Sequence, residues 1–262
     1  MPRDGDPAPG KTTELGRRPG AWRARGVLLD LDDTLYGYRT AARHALSELA
    51  RILSRDFHLS PELVVSRYQE CRTLVREDAS EAGLPLRHER MRLLLEAFPH
   101  IPGAAATFCA ESYGTAFLEA VRWFPGAQEA FRALTCLVPV VVVTEGHEDI
   151  AGGILDRLGP PADSAPRLCS RSLLLRKGDG SAFLKALEWL RLAPEEVVMI
   201  GDNWENDVVG ASLADIRSIW IDPQDSTVSL PRPRWFLEKV PDLYQACRRL
   251  FPEAFPGVGT HV

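Results

Sequence analysis

Residues Gly26 to Leu35 read GVLLDLDDTL: an apolar run, Val27 to Leu29, leads into Asp30, Asp32 and Asp33 and then Thr34. So short an apolar run ending in acids reads as a buried strand whose carboxyl end carries charge. Carboxylates a few ångströms apart repel and raise one another's pKa unless a cation sits among them. Asp30 and Asp32 are two residues apart, so on an extended backbone both point to the same side. Two acids aimed at one point suit a metal ion, or a division of labour between nucleophile and acid/base. An acidic turn after an edge strand would use the same residues, because Asp and Thr are ordinary in turns. The rest of the chain decides between the two.

With 262 residues the chain is long enough for one large domain, or for a domain carrying a sizeable insertion. Its apolar content of 45% is normal for a full core, and a net charge of −5 gives no sign of nucleic-acid or membrane-surface binding. Five cysteines, Cys71, Cys109, Cys136, Cys169 and Cys247, are widely spread and form no CxxC pair. Neither a zinc site nor a disulfide framework is indicated, and reduced cysteines in a cytoplasmic protein are expected. The longest apolar run, Val138 to Val143, is interrupted by Pro139 and is too short to span a bilayer.

Residues 1–22 carry little to bury and are expected to form a disordered tail. They contain a decoy. Gly5 to Thr12, GDPAPGKT, satisfies the phosphate-loop pattern, but no strand precedes it, and Pro7 and Pro9 remove backbone donors. Apolar spacing predicts helices over Arg39 to Leu53, Pro61 to Asp78 (capped by Ser60), Arg87 to Phe98 and Ala104 to Val121. Strand signals then alternate with helices. Pro139 to Thr144 is a β-branched strand, followed by a helix over Asp149 to Leu158. A helix over Ser181 to Leu190, with Ser181 as its cap, precedes the strand Val197 to Ile200. A short helix over Asp207 to Ala214 and the strand Arg217 to Ile221 close the series. Such alternation predicts an α/β fold, a Rossmann-like parallel sheet flanked by helices, with residues 37–122 inserted as an all-α domain.

In such a sheet, ligands gather at the carboxyl ends of the strands. Those ends carry Asp30 and Asp32, then Thr144, then Asp202, with Lys177 just ahead of a helix. Acids, a hydroxyl and a cation therefore converge on one edge, which favours a functional site over a turn.

These residues resemble the haloacid dehalogenase-like hydrolase superfamily, and the likeness covers most of residues 25–225. Its first motif, D-x-D-x-T after an apolar strand, is Asp30-Leu31-Asp32-Asp33-Thr34 here. Its second, a Thr or Ser ending a strand, is matched by Thr144. Its third, a Lys a few residues before a helix, is matched by Lys177, and its fourth, G-D-x-x-x-x-D, by Gly201, Asp202 and Asp207. The helical insertion resembles the family's α-helical cap. On that likeness the core spans 23–36 and 123–250, the cap 37–122, and a C-terminal tail 251–262. Two departures stand out. Thr144 is followed by Glu145 where Asn is common, and Lys177 by Gly178 where Pro is common, which would loosen the lysine's loop.

The resemblance implies a phosphoric monoester hydrolase that acts on a small phosphorylated metabolite through an aspartyl phosphate, with Mg2+ as cofactor. Asp30 would be the nucleophile and Asp32 the general acid/base. Thr144 and the backbone after it would bind phosphate oxygens, and Lys177 would neutralise charge. The metal would be held by Asp30, the Asp32 carbonyl and Asp202, with Asp207 behind them orienting Lys177. Arg39, Glu145 and Gly146 are candidates for touching substrate; Tyr36, Tyr38, Arg43 and His44 also lie close to the catalytic loop, and Arg72, Arg76, Arg87, His88, Arg90 and Arg92 are further cap candidates for an anionic substrate. Dehalogenating relatives lack the second Asp, so Asp32 argues against halide displacement. Phosphonate-cleaving relatives need a cap lysine, and residues 37–122 contain none. Phosphomutase action would use the same four motifs, and a non-enzymatic binding protein could keep the same fold. The intact Asp30, Asp32, Lys177 and Asp202 speak against the last. Which ester is cleaved, and the oligomeric state, are not legible in the sequence.

Overall fold

The structure is a computed structural model and describes residues 22–74, 86–224 and 231–255. The phosphate-loop pattern, Arg76 and the last part of the helix predicted to Asp78 lie outside these residues. Six strands form one parallel sheet: β1 (Gly26–Leu29), β2 (Val140–Thr144), β3 (Arg167–Cys169), β4 (Val197–Gly201), β5 (Arg217–Ile221) and β6 (Phe236–Val240). Their order is β3-β2-β1-β4-β5-β6, with Val27 of β1 paired to Val140 on one side and Val198 on the other. The chain builds outward from β1 in one direction, then returns to build outward in the other. The switch falls between β1 and β4, where the crevice of a doubly wound sheet opens.

Alternation along the strands assigns the two faces. Val27 and Leu29 of β1, Val140 and Val142 of β2, and Val198 and Ile200 of β4 join one buried cluster. Leu28, Val141, Val143, Val197 and Met199 join the other. Helices cover both. α5 (Ala127–Leu137), α6 (Glu148–Leu158) and α9 (Leu243–Leu250) bury residues in the first cluster, and α7 (Ser181–Leu190) buries Ala182, Phe183 and Ala186 in the second.

Between β1 and α5 the chain forms α1 (Tyr38–Phe57), α2 (Pro61–Leu74), α3 (Leu86–Glu96) and α4 (Ala105–Ala120). Exit and return lie side by side: Tyr36 bridges Trp123, and Phe124 N–H donates to the Leu35 carbonyl at 2.9 Å. Trp123 packs against Phe131 and donates to the Leu158 carbonyl at 2.9 Å, which fixes the return to the sheet. Pro61 opens α2, and Ser60 Oγ accepts the Leu63 N–H at 3.3 Å, the cap anticipated for it. Among the described residues no helix is long and apolar enough to cross a membrane.

Several local expectations are corrected. Ser181 does not cap α7; Gly180, at φ +84°, holds that position, where a glycine carries no steric penalty. Ser181 Oγ instead accepts the Arg176 N–H at 3.0 Å, which ties it to the lysine loop. The helix expected from Asp207 begins earlier, as a π-helical segment over Trp204–Val209, and continues as α8 (Gly210–Leu213). Asp207 turns inward to accept the Asn203 N–H at 2.9 Å, and the turn is wound wide around it. β3, β6 and α9 were not anticipated. Both terminal segments expected to be tails contribute packing where they are described. Trp22 Nε1 donates to the Glu195 carbonyl at 2.6 Å, and Phe255 is buried against Tyr244.

Candidate active site

The strand ends at the β1/β4 switch bring four of the expected residues together. Asp30, Lys177 and Asp207 are 6%, 3% and 0% exposed, so their charges must be met by one another rather than by water. Lys177 Nζ lies 2.5 Å from Asp30 Oδ1 and is also ion-paired with Asp207 Oδ1. Burial alone would depress a lysine pKa, but the Asp207 and Asp30 charges outweigh it and raise that of Lys177. Asp30 Oδ2 accepts the Thr34 hydroxyl at 2.8 Å. Both oxygens of Asp30 are thus held, and its carboxylate is fixed in orientation.

Asp32 stands beside this group with a different environment. Tyr36 donates its hydroxyl to Asp32 Oδ1 at 2.5 Å. Burial, and then the charge of Asp30, push the Asp32 pKa up to about 7. Two carboxyls two residues apart are therefore driven to different roles: Asp30 is paired with a cation, and Asp32 holds its proton near neutral pH.

Asp202 ends β4 and is partly buried, its backbone carbonyl accepting the Trp220 indole N–H at 2.7 Å. Burial, followed by the charges of Asp30 and Asp207, pushes its pKa up to about 8. Asp30, Asp202 and Asp207 each place a carboxylate oxygen within 4.8 Å of the others. Three acids this close with one lysine among them leave excess negative charge, and an all-oxygen donor set fits a hard divalent cation such as Mg2+. The same shifts fix a pH dependence. Asp32 and Asp202 are raised above the ordinary carboxylate value of 3.8, so the protonated form favours the fold. That stability is present below the unfolded pKa and is lost as pH rises through about 7 and 8. A cation that binds the deprotonated acids displaces protons, so the Tm gained on adding Mg2+ should be larger at pH of about 8 than at about 5.5. Thermal denaturation with and without Mg2+ at the two pH values measures it; an equal gain at both would overturn the assignment.

Thr144, at the end of β2, is buried, and its Oγ1 accepts the Gly146 N–H at 3.1 Å. Among the described residues the Glu145 carboxylate is held by two neighbouring loops. Its Oε1 accepts the Lys177 N–H at 3.3 Å and its Oε2 an Asn206 amide hydrogen at 3.2 Å. Gly210 packs on the same loop so closely that a Cβ there would lie 2.0 Å from the Lys177 carbonyl oxygen. The loosening expected from Gly178 is countered by these contacts, since Glu145 ties the β2, lysine and π-helical loops together.

Arg39 does not join the group. Its side chain is 72% exposed and pairs with Asp33 Oδ2 at 3.2 Å, beside the positive φ of Asp33. A cavity of about 270 Å³ instead opens over Asp32, Glu145 and Gly146, with Arg72, Arg87 and Arg171 in its wall. Thr34, Asn206 and Arg171 were assigned no role from sequence, and Tyr36 was a candidate only by its nearness to the catalytic loop. Thr34 closes the first motif and Asn206 lies inside the fourth, so each had a positional signal. Arg171 had none.

Comparison with known proteins agrees with this geometry. A profile described as haloacid dehalogenase-like hydrolase matches residues 24–215. A ribulose-1,5-bisphosphate 5-phosphatase of Halopiger xanaduensis is 29% identical over 212 residues, spanning 78% of this chain and 87% of that protein. A phosphoserine phosphatase of Thermus thermophilus is 29% identical over 234 residues, spanning 78% of this chain and 92% of its own length. Among solved structures, a 2-haloacid dehalogenase from Pseudomonas syringae superposes with a TM-score of 0.64 at 26% identity, over 88% of this chain and 97% of that one. A doubly wound sheet with its acids at the switch, and a profile match that runs from Ala24 ahead of β1 to Asp215 after α8, lead to one assignment: the chain belongs to the haloacid dehalogenase-like hydrolase family.

Proposed function

We propose that this hydrolase is a magnesium-dependent phosphatase that cleaves a small phosphorylated metabolite through an aspartyl phosphate on Asp30. Residues 37–122 act as a helical cap over a core of residues 23–36 and 123–250. Asp32 carries the reading, because a side chain held by Tyr36 with a pKa of about 7 can both give and take a proton. An alkoxide leaving group needs that proton. A halide does not, so a dehalogenase, the activity named for the Pseudomonas syringae neighbour, would have no use for Asp32. Both curated relatives are named as phosphatases, which supports the same choice.

The residues divide the chemistry as follows. Lys177 and Thr34 hold the Asp30 carboxylate in one orientation, so that one of its oxygens attacks phosphorus. As the new bond forms, the bond from phosphorus to the ester oxygen breaks, and Asp32 passes its proton to that oxygen. Asp32 then withdraws a proton from water. The water oxygen attacks the aspartyl phosphate, the bond to Asp30 breaks, and inorganic phosphate leaves. Lys177 offsets negative charge gathered at phosphorus, and Thr144 with the backbone beside it supplies hydrogen bonds to phosphate oxygens. Asp30, Asp202 and the Asp32 carbonyl would hold Mg2+, with Asp207 fixing Lys177 behind them. Bound there, the ion lowers the repulsion between a carboxylate and a phosphate dianion.

Phosphate release from an aryl phosphate and from a panel of phosphorylated metabolites tests the proposal. Turnover should require added Mg2+ and vanish with a chelator. Turnover that is indifferent to the chelator would remove the metal from the reading, and its absence on every ester would remove the phosphatase.

A further inference from the structure

The cavity over Asp32 has a wall that the hydrolytic step does not use. Its volume of about 270 Å³ corresponds to roughly nine waters at about 30 Å³ each, the scale of a small metabolite. Helix α2 contributes Arg72 and α3 contributes Arg87 and Arg90 to this wall, α4 adds Tyr113 and Phe117, and Arg171 faces in from the segment after β3.

Arg87 is seated with care. Its guanidinium carbon lies 5.8 Å from the centre of the Tyr113 ring. It also fills a notch at Gly114 of α4, where a Cβ would sit 2.2 Å from Nη1. Glycine inside a helix is unfavourable beside alanine, so α4 gives up stability to let this guanidinium in. Neither Arg72 nor Arg87 pairs with a carboxylate among the described residues. The two acids of the wall are already engaged, Asp32 by Tyr36 and Glu145 by the Lys177 N–H and Asn206. His147 adds an Nε2 that is shielded from solvent and has no hydrogen-bond partner among the described residues. Guanidinium groups held on an aromatic face without a carboxylate are receptors for a planar or tetrahedral anion.

The geometry points to a second anion subsite, built on Arg87 with Arg72. The substrate is then a small phosphorylated metabolite that carries another anionic group, a carboxylate or a second phosphate, away from the ester that is cleaved. This rests on the phosphatase reading above. The transferred phosphoryl group has its own cation, Lys177 on Asp30, at the floor of the sheet. Arg72 and Arg87 belong to the helical insertion and face the remainder of the molecule.

Glycerol 3-phosphate, 3-phosphoglycerate and 2,3-bisphosphoglycerate differ in that second group and separate its two sources. Wild-type kcat/KM should be at least about tenfold higher on one or both of the last two than on glycerol 3-phosphate, as charge-assisted hydrogen bonds provide. Arg87→Met should collapse that ratio toward one, with most of the change in KM. Gly114→Ala should do the same while keeping the arginine, because its methyl group displaces the guanidinium. That second variant guards against a folding artefact in the first. Calorimetric titration of the same three compounds into Asp30→Asn protein reads binding without turnover. A binding difference that persists in wholly inactive wild type would uphold the subsite and sink the phosphatase. Turnover with equal ratios in all three proteins would uphold the phosphatase and sink the subsite. An equal loss on all three esters in Arg87→Met and Gly114→Ala would reassign the arginines to the transferred phosphoryl group, and also overturn the inference.

Discussion

Asp30→Asn is expected to lower phosphate release by on the order of 10⁴-fold or more, the scale seen when a nucleophile is removed from a catalytic unit. The amide keeps the shape of the carboxylate and can still accept the Thr34 hydroxyl, so the loop geometry should survive. What is lost is the negative oxygen that attacks phosphorus. Removing one member of a buried ion pair usually costs about 3–5 kcal/mol, because the other charge is stranded. Lys177 is not stranded here, since Asp207 still pairs with it, and loss of the Asp30 charge relieves repulsion on Asp202. The variant should therefore fold, and a matching far-ultraviolet spectrum and melting curve will verify that. Acid quenching during turnover should trap a phosphoryl group on wild-type protein and none on the variant. Retained turnover in folded Asp30→Asn protein would eliminate the covalent route.

Asp32→Asn is expected to lose about 10²- to 10⁴-fold, the contribution of one positioned acid/base. The loss should depend on the leaving group. An aryl phosphate expels a stable phenolate and needs little help, whereas an alkyl phosphate expels a strongly basic alkoxide. The defect should accordingly be larger on alkyl esters, by about tenfold or more. Tyr36 can still donate to the Asn oxygen, so its hydrogen bond does not confuse the comparison. Measuring kcat on a series of leaving groups of graded acidity gives a slope for each protein. A slope unchanged between wild type and variant would deny Asp32 its proton-donating role.

The sheet and the residues at its floor were legible because local pattern and global fold agree there. β1, β2 and β4 are runs of apolar residues, and their carboxyl ends fall one after another at Asp30, Thr144 and Asp202. β3 is only three residues long, and the sequence Arg-Leu-Cys has no period to detect. β6, Phe-Leu-Glu-Lys-Val, lies at the sheet edge with mixed exposure, so its apolar pattern is diluted. α9 is short, although its start is set by Asp242 accepting the Gln245 N–H at 2.8 Å. The arginines that line the cavity were the hardest to read. Arg39 is nearest the motif in sequence, yet the first turn of α1 carries it to Asp33 and solvent. Arg87 is more than fifty residues downstream and reaches the cavity only because Gly114, on another helix, makes room. No local signal couples those two positions.

The central place of β1 bears on how the molecule comes into being. Its four residues pair with Val140–Val142 on one side and Val197–Ile200 on the other. Among the described strands β1 is made first, yet its neighbour β4 follows only after β2 and β3. At about 5–20 residues per second, roughly 10 to 30 s of synthesis separate the emergence of Val27 from that of Val198. Throughout that interval Asp30 has neither Asp202 nor Asp207 beside it. A nascent chain that has not reached Asp202 therefore lacks one wall of the acidic cluster, and the site can close only once Asp202 and Asp207 have been made.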